Sequence, residues 1–256
     1  MEHAWLNPPE TLSLVKGEVH VWRTLLDMDD EIIGGLFSIL SGSERQQAMR
    51  FHFNLLRTKH IAAHGLLRLI LGMYLDIEPI LLAFCTNQYG KPYLCSGHKD
   101  KAILFNVSHS GNMSVVALSS GFEVGIDIEH TNREINVAEI AGSFFSKKEI
   151  EKLASLTGAL QKEAFFRCWT RKEAYLKGKG RGLSMDLDRF EVSLLPDESP
   201  SILADEDCPE DVHSWRLYDI TPLPGYIGAL SVEAEVETIK HFSAASLLAK
   251  PTGPYS

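Results

Sequence analysis

The sequence predicts an α+β fold of two similar α+β subdomains, with a site at their interface. Three observations lead there. Short segments of period-two hydropathy alternate with longer amphipathic stretches of helical period. The chain also repeats itself in outline. Each half has a helix, then a Gly-Lys turn ("QYGKP", "KGKGRG"), then strands closing on a similar segment ("SVVALSS", "IGALSVE"). Finally, 256 residues, 45% of them hydrophobic, suffice for two cores. The junction falls near residue 120. This gives an N-terminal subdomain 1–120, a C-terminal subdomain 121–245 and a loose tail 246–256.

In chain order, "EVHVWRTLL" (18–26) alternates and favours β-structure, so it reads as a strand. Residues 43–75 form one or two amphipathic helices, with Ser43 as N-cap. Strands follow at "LLAFC" (81–85), "ILFNVS" (103–108), "MSVVALS" (113–119) and "VGIDIE" (124–129). Helical period returns over 135–157 and 159–178. Three strands close the chain: "RFEVSLL" (189–195), "WRLYDI" (215–220) and "YIGALSVE" (226–233).

Bulk properties narrow the function. "MEHAWLNPPE" has no basic stretch leading into an apolar run, so no signal peptide is expected. No apolar run reaches the roughly 20 residues of a membrane span. Cys85, Cys95, Cys168 and Cys208 form no CxxC pair, which fits reduced thiols and a cytoplasmic location better than disulfides or zinc. The net charge of −9 is uneven: from Asp186 onward 14 acidic residues face 4 basic ones, whereas the chain before it carries 20 and 21. That balance argues against a broad nucleic-acid surface.

Three segments carry chemistry. In "VGIDIEH", Val124, Ile126 and Ile128 share one strand face, and Asp127 and Glu129 share the other. Carboxylates that close repel unless a cation or proton lies between them; a solvated polar face is the plain alternative. In "CWTRKEAYLKGKGRG" (168–182), helical geometry puts Phe166, Trp169, Thr170, Glu173 and Lys177 on one side. Glu173 on a part-buried aromatic face needs a partner. That partner is either Lys177, one turn on, or a metal ion shared with Asp127 and Glu129. Three carboxylates suit Mg²⁺, with Lys172 and Lys177 facing phosphates. In "FNVSHSG", a strand enters a Ser-His-Ser-Gly turn that can hold an anion through Ser108 and His109. No G-x-S-x-G elbow surrounds Ser108, which excludes the usual serine hydrolase. "QYGKPYL" is a turn offering Lys91 to a phosphate and Tyr89 or Pro92 to a flat base. Arg45, Arg50, Arg57, Lys59 and Arg68 make a basic helix, read as a solvated face with cations to spare. Walker A and G-x-G-x-x-G motifs are absent.

Taken in order, "QYGKP", "FNVSHS", "VGIDIE", "FFSKKE" (144–149) and "FFRCWTRKEAYLKGKGRGLS" (165–184) resemble the 4′-phosphopantetheinyl transferases of the larger, single-chain type. The resemblance runs from about Ser41 to Glu191. Its specific part is G-I-D-I-E followed by W-T-x-K-E-A-Y-x-K; neither half alone would suffice.

The resemblance implies a monomer with a pseudo-twofold fold. It implies transfer of the phosphopantetheine arm of coenzyme A to a serine of an apo acyl or peptidyl carrier protein, releasing adenosine 3′,5′-bisphosphate. By the family pattern Asp127, Glu129 and Glu173 bind Mg²⁺, Lys177 neutralises charge on the diphosphate, and Lys172 assists. His109 and the Ser108 backbone resemble phosphate contacts. The turn Tyr89, Gly90, Lys91 and Pro92 resembles the adenine edge. Glu44 and Gln47 stand where family members often place lysines for the 3′-phosphate, so Arg45, Arg50 or Lys59 is expected to substitute. The serine proton needs a base, either Glu149, slightly favoured, or Glu129 acting through a water. Lys147 and Lys148 are the expected docking cations for the acidic carrier. A coenzyme A pyrophosphatase or a non-catalytic binding module are the alternatives. The first lacks a Nudix pattern, and the second would not need all of Asp127, Glu129, Glu173 and Lys177.

Overall fold

A computed structural model describes residues 4–95, 103–182 and 185–248. β1 (Glu18–Leu25), β4 (Ile103–Ser110), β5 (Met113–Ser120) and β11 (Thr238–Ser243) form one sheet, in the order β11-β1-β5-β4. β11 runs parallel to β1 and the other pairings are antiparallel. β6 (Val124–His130), β9 (Arg216–Ile220) and β10 (Tyr226–Val232) form a second, antiparallel sheet, in the order β6-β10-β9.

Each sheet carries short helices, one 22-residue helix and a small hairpin. In the first half these are α1 (Asp30–Ser38), α2 (Gly42–Met49), α3 (Asn54–Leu75), and β2 (Phe84–Thr86) paired with β3 (Pro92–Leu94). In the second they are α4 (Val137–Phe144), α5 (Lys147–Ala154), α6 (Gly158–Lys179), and β7 (Phe190–Val192) paired with β8 (Ile202–Asp205). Two single-turn helices, α7 (Asp211–Ser214) and α8 (Ala245–Leu248), complete the described chain. The protein is thus two α+β subdomains, as the sequence outline predicts.

Among the described residues, apolar side chains gather into three cores. One joins α3 to the first sheet through Trp22, Leu66, Ile70, Tyr74, Phe105 and Phe242. A second joins α6 to its own half through Phe165, Phe166, Tyr175, Phe190 and Trp215. The third lies between the sheets. There Val19, Val21, Val115 and Ala117 meet Val124, Ile126, Ile128 and Leu230. The alternating pattern of β6 explains this contact: its apolar face turns to the first sheet, leaving Asp127 and Glu129 on the other side.

Several expectations are corrected. The N-cap of α2 is Ser41, not Ser43. Ser41 and Glu44 form a reciprocal capping box, a Ser-x-x-Glu pattern two residues earlier than expected. Cys85 and Cys95 are joined as a disulfide, with Cα atoms 5.3 Å apart across the β2–β3 hairpin; Cys168 and Cys208 are free and buried. Spacing alone does not reveal the bridge, because the hairpin register brings two cysteines ten residues apart into contact. α1, β3, β8 and β11 lie in segments that the periodicity reading leaves unassigned. α1 contains two glycines that weaken its helical signal, and β3 and β8 are only three and four residues long. β11 crosses back to pair with β1. Of the expected tail, residues 249–256 lie outside the described residues.

Candidate active site

The facing edges of the two sheets are β4 and β6, and side chains join them. The Asn106 Oδ1 accepts a hydrogen bond from the Ile126 N–H at 2.9 Å, the Ser108 Oγ from Ile128 at 3.3 Å, and the Ser110 Oγ from His130 at 3.0 Å. Both hydroxyls also donate, Ser108 to Asp127 Oδ1 at 2.8 Å and Ser110 to Glu129 Oε2 at 2.7 Å.

α6 lies directly on the polar face of β6. A Cβ on Gly125 would stand 2.0 Å from the Ala174 carbonyl oxygen and 2.3 Å from the Gly178 nitrogen, so only glycine admits the helix there. Gly178 in turn faces the Trp215 ring, which a Cβ would meet at 2.5 Å. This close approach places Lys177 against Asp127, with Nζ 2.6 Å from Oδ1 and 3.1 Å from Ser108 Oγ. Lys177 is therefore the partner of Asp127 rather than of Glu173, one turn back in its own helix.

The three carboxylates act on one another's charge. Burial raises the pKa of Asp127, against the pull of Lys177, and Glu129 adds to the rise. Burial also raises Glu173, the negative charge of Asp127 raises it further, and Glu129 contributes again. Asp127 is 5% exposed, and its Oδ2 is buried without a hydrogen-bond partner. Glu129 holds Arg133 at 3.1 Å through Oε1. Among the described residues no three His, Cys, Asp or Glu side chains already stand as a closed metal-binding group. Lys177 supplies the positive charge in contact with Asp127. The orphaned Oδ2, the mutual repulsion and an all-oxygen donor set nevertheless fit a hard divalent cation such as Mg²⁺.

Beside this cluster a cleft of about 220 Å³ is lined by Tyr89, Gly90, Lys91, Pro92, Asn106 and Lys177. The turn that the sequence singles out thus borders the same lysine that meets Asp127. Asn87 aims the turn: its Oδ1 accepts from the Tyr89 and Lys91 N–H groups, and its Nδ2 donates to Gly180 O at 2.7 Å. A larger cavity of about 600 Å³, between Thr24, Met28, Ile32 and Leu223, shares no lining residue with the cleft.

Other expected ligands stand elsewhere. The Lys91 ammonium, expected on a phosphate, donates to Glu123, Val124 O and Gly178 O, tying the turn to β6 and α6. Arg45, one of the three cations expected to reach the 3′-phosphate, donates to Phe37 O and Ser38 O at the end of α1. Arg50 is exposed. Lys59 reaches Gly111 O at 2.7 Å, in the β4–β5 turn. The His109 side chain reaches solvent, yet protein packed around it and then Lys177 lower its pKa.

Lys172 and Glu149 depart furthest from the expected exposed positions. Lys172 is 0% exposed and Glu149 2%, and they pair with each other at 2.9 Å. Lys172 also donates to Leu187 O and Phe190 O, while Glu149 caps α5 and accepts from the Val192 N–H. Both are enclosed and hydrogen-bonded within the fold, and neither lines the cleft. A sequence pattern cannot distinguish a buried, paired lysine from one at the cleft when the two are five residues apart.

The reading by sequence missed Asn106, Ser110, Asn87 and Arg133. The first two were legible in principle. Asn106, Ser108 and Ser110 alternate along "NVSHS", so they share one face of β4.

Comparisons with known proteins agree with this arrangement. The model of the 4′-phosphopantetheinyl transferase superfamily matches residues 123–231, and that of the N-terminal part of 4′-phosphopantetheinyl transferases matches residues 30–121. The chain is 35% identical to the 4′-phosphopantetheinyl transferase HetI of Nostoc sp. over 232 residues, covering 91% of this chain and 94% of that protein. It is 33% identical to the 4′-phosphopantetheinyl transferase Sfp of Bacillus subtilis over 186 residues, covering 72% and 79%. Two matched halves, near-complete coverage and a carboxylate–lysine cluster at their seam lead to one conclusion: the chain belongs to the 4′-phosphopantetheinyl transferase family, in its large single-chain form.

Proposed function

We propose that the cluster between β6 and α6 transfers the 4′-phosphopantetheine arm of coenzyme A to a serine of an apo carrier protein. The observation that carries this is Lys177 at 2.6 Å from Asp127, which shares its strand with Glu129, while Glu173 stands one turn before Lys177 on α6. In the reaction the serine oxygen forms a bond to the β-phosphorus. The bond from that phosphorus to the bridging oxygen breaks, and adenosine 3′,5′-bisphosphate leaves with the electron pair.

Asp127, Glu129 and Glu173 would hold Mg²⁺, which when bound neutralises charge on the diphosphate. Lys177 turns its ammonium from Asp127 to the phosphoryl oxygens and stabilises the charge that grows on the leaving side. Glu129 is the remaining candidate to take the serine proton, since Glu149 is enclosed. The Tyr89–Pro92 turn and its cleft suit the flat base of coenzyme A. His109, at the end of β4, is available to a phosphate. Carrier docking is assigned to the start of α5, where Lys147 is exposed and the Lys148 side chain is 74% exposed beside Glu191.

The test is incubation with Mg²⁺, coenzyme A and an apo acyl carrier protein, followed by intact mass measurement of the carrier. Wild type should add one phosphopantetheine, while Asp127→Asn and Glu173→Gln should not. Cleavage of coenzyme A without carrier modification would favour a pyrophosphatase instead. Coenzyme A binding with neither reaction would favour a binding module.

A further inference from the structure

The contact between β4 and β6 has a two-residue rhythm. Asn106, Ser108 and Ser110 accept from Ile126, Ile128 and His130, a constant offset of 20 residues, so side-chain oxygens replace the carbonyls of a backbone ladder. At two of the three rungs the acceptor is a hydroxyl with a proton of its own. That proton goes to the carboxylate of the preceding β6 residue, Asp127 from Ser108 and Glu129 from Ser110. At the remaining rung the preceding residue is Gly125, which has no side chain, and there the chain uses asparagine. Donors therefore appear where a carboxylate needs holding.

We propose that Ser110 is a positioning residue for the metal site, its hydroxyl locked by the His130 N–H so that its proton fixes the Glu129 carboxylate. The inference rests on reading Asp127, Glu129 and Glu173 as the Mg²⁺ ligands. With the N–H of β6 on one lone pair, the Ser110 proton is left to point at Glu129. A glutamate side chain carries several rotatable bonds, and holding it in advance removes an ordering cost when a cation binds. The other partner of Glu129, Arg133, comes from a side chain 48% exposed, so the restraint that originates in the sheet is Ser110. Asn106, which also lines the cleft, aligns the strands at a rung with no carboxylate to hold.

The experiment is titration of the full chain with Mn²⁺ alone, read by electron paramagnetic resonance, with Tm measured for every variant. Ser110→Ala is expected to weaken Mn²⁺ binding by about tenfold with little change in Tm, and Ser110→Thr to restore it to within about twofold. Asn106→Ala should do the reverse, lowering Tm while Mn²⁺ affinity stays near that of wild type. In the transfer assay Ser110→Ala should raise the half-saturating Mg²⁺ concentration by about the same factor and leave kcat at saturating Mg²⁺ within about threefold. If Ser110→Ala does not fold, Ser110→Cys, with its weaker donor, should bind Mn²⁺ less tightly than wild type. Wild-type Mn²⁺ affinity in Ser110→Ala, with binding lost in Asp127→Asn, overturns the positioning role and leaves the metal reading standing. Equal loss of affinity and Tm in Ser110→Ala, not restored by Ser110→Thr, makes the hydroxyl merely structural and also overturns it. Unchanged binding in Asp127→Asn, or none in wild type, removes the metal reading and this inference with it.

Discussion

Helix α3 and helix α6 are each 22 residues long, and each buries a cation fourteen residues after its first: Arg68 after Asn54, and Lys172 after Gly158. Both cations meet a glutamate that closes a capping box on a preceding short helix, Glu44 with Ser41 and Glu149 with Ser146. Both also donate to two backbone carbonyls beyond their helix, Arg68 to Pro79 and Leu82, Lys172 to Leu187 and Phe190. The two halves thus share one structural node. They part at the following positions. After Arg68 come Leu69 and, four further on, Met73; after Lys172 come Glu173 and Lys177. The comparison teaches that the buried ion pair belongs to the fold of either half. In the proposed reaction the chemistry rests on two side chains beside it, Glu173 and Lys177, and on the carboxylates of β6.

Making α6 resemble α3 should have the largest effect. Glu173→Leu is expected to lower carrier modification by about a thousandfold, measured as kcat/KM, because one of three charge-bearing ligands is gone. The Tm without metal should hold or rise, since Glu173 is a half-buried carboxylate raised by desolvation and by the charge of Asp127. A large fall in Tm would mean that Glu173 belongs to the node after all.

The node can be broken in either half. Lys172→Met and Arg68→Met each leave a glutamate without its buried cation, and each should cost about 3–5 kcal/mol in urea unfolding. Transfer activity per folded molecule should fall far less than for Glu173→Leu. Full stability with abolished activity in Lys172→Met would overturn the node and return that lysine to the substrate.

A pH experiment sharpens the first half. Burial pushes Glu44 up, but bonds from His64, Ser41 and Arg68 outweigh it and bring its pKa to about 2 from 4.5. A depressed carboxylate contributes stability that is present above the unfolded value and lost as pH falls through the folded one. Unfolding free energy should therefore drop by up to about 3 kcal/mol between pH 4.5 and 2. Glu44→Gln should flatten this part of the curve relative to wild type.

The smallest effect separates the two hairpins. Cys85–Cys95 closes the β2–β3 hairpin, whereas β7–β8 has no such bridge. Reduction should cost about 2–3 kcal/mol. It should raise the KM for coenzyme A more than it lowers kcat, because that hairpin carries Tyr89 and Pro92 into the cleft. An unchanged KM would detach the bridge from the site.

Much of this was legible in residue order. The period of "VGIDIEH" put Asp127 and Glu129 on one face, and helical spacing put Glu173 and Lys177 on one side of α6. Those patterns repeat every two residues or every turn, so they survive without coordinates. The long helices and the long strands were readable for the same reason. The short strands β3 and β8 span too few residues to show a period, and β11 pairs with a strand more than two hundred residues away. The burial of Lys172 and Glu149 was not legible, because side-chain type is the same in a buried ion pair and at an open site.

The sequence by itself therefore determined which residues can carry charge and which faces they occupy, through local geometry that depends only on φ, ψ and spacing. Tertiary structure alone decided which charges meet. Gly125 lets α6 lie against β6, so Lys177 reaches Asp127 while Lys172 is sealed with Glu149. Coulomb and desolvation effects act over a few ångströms, and distances that short are set between elements far apart in the chain.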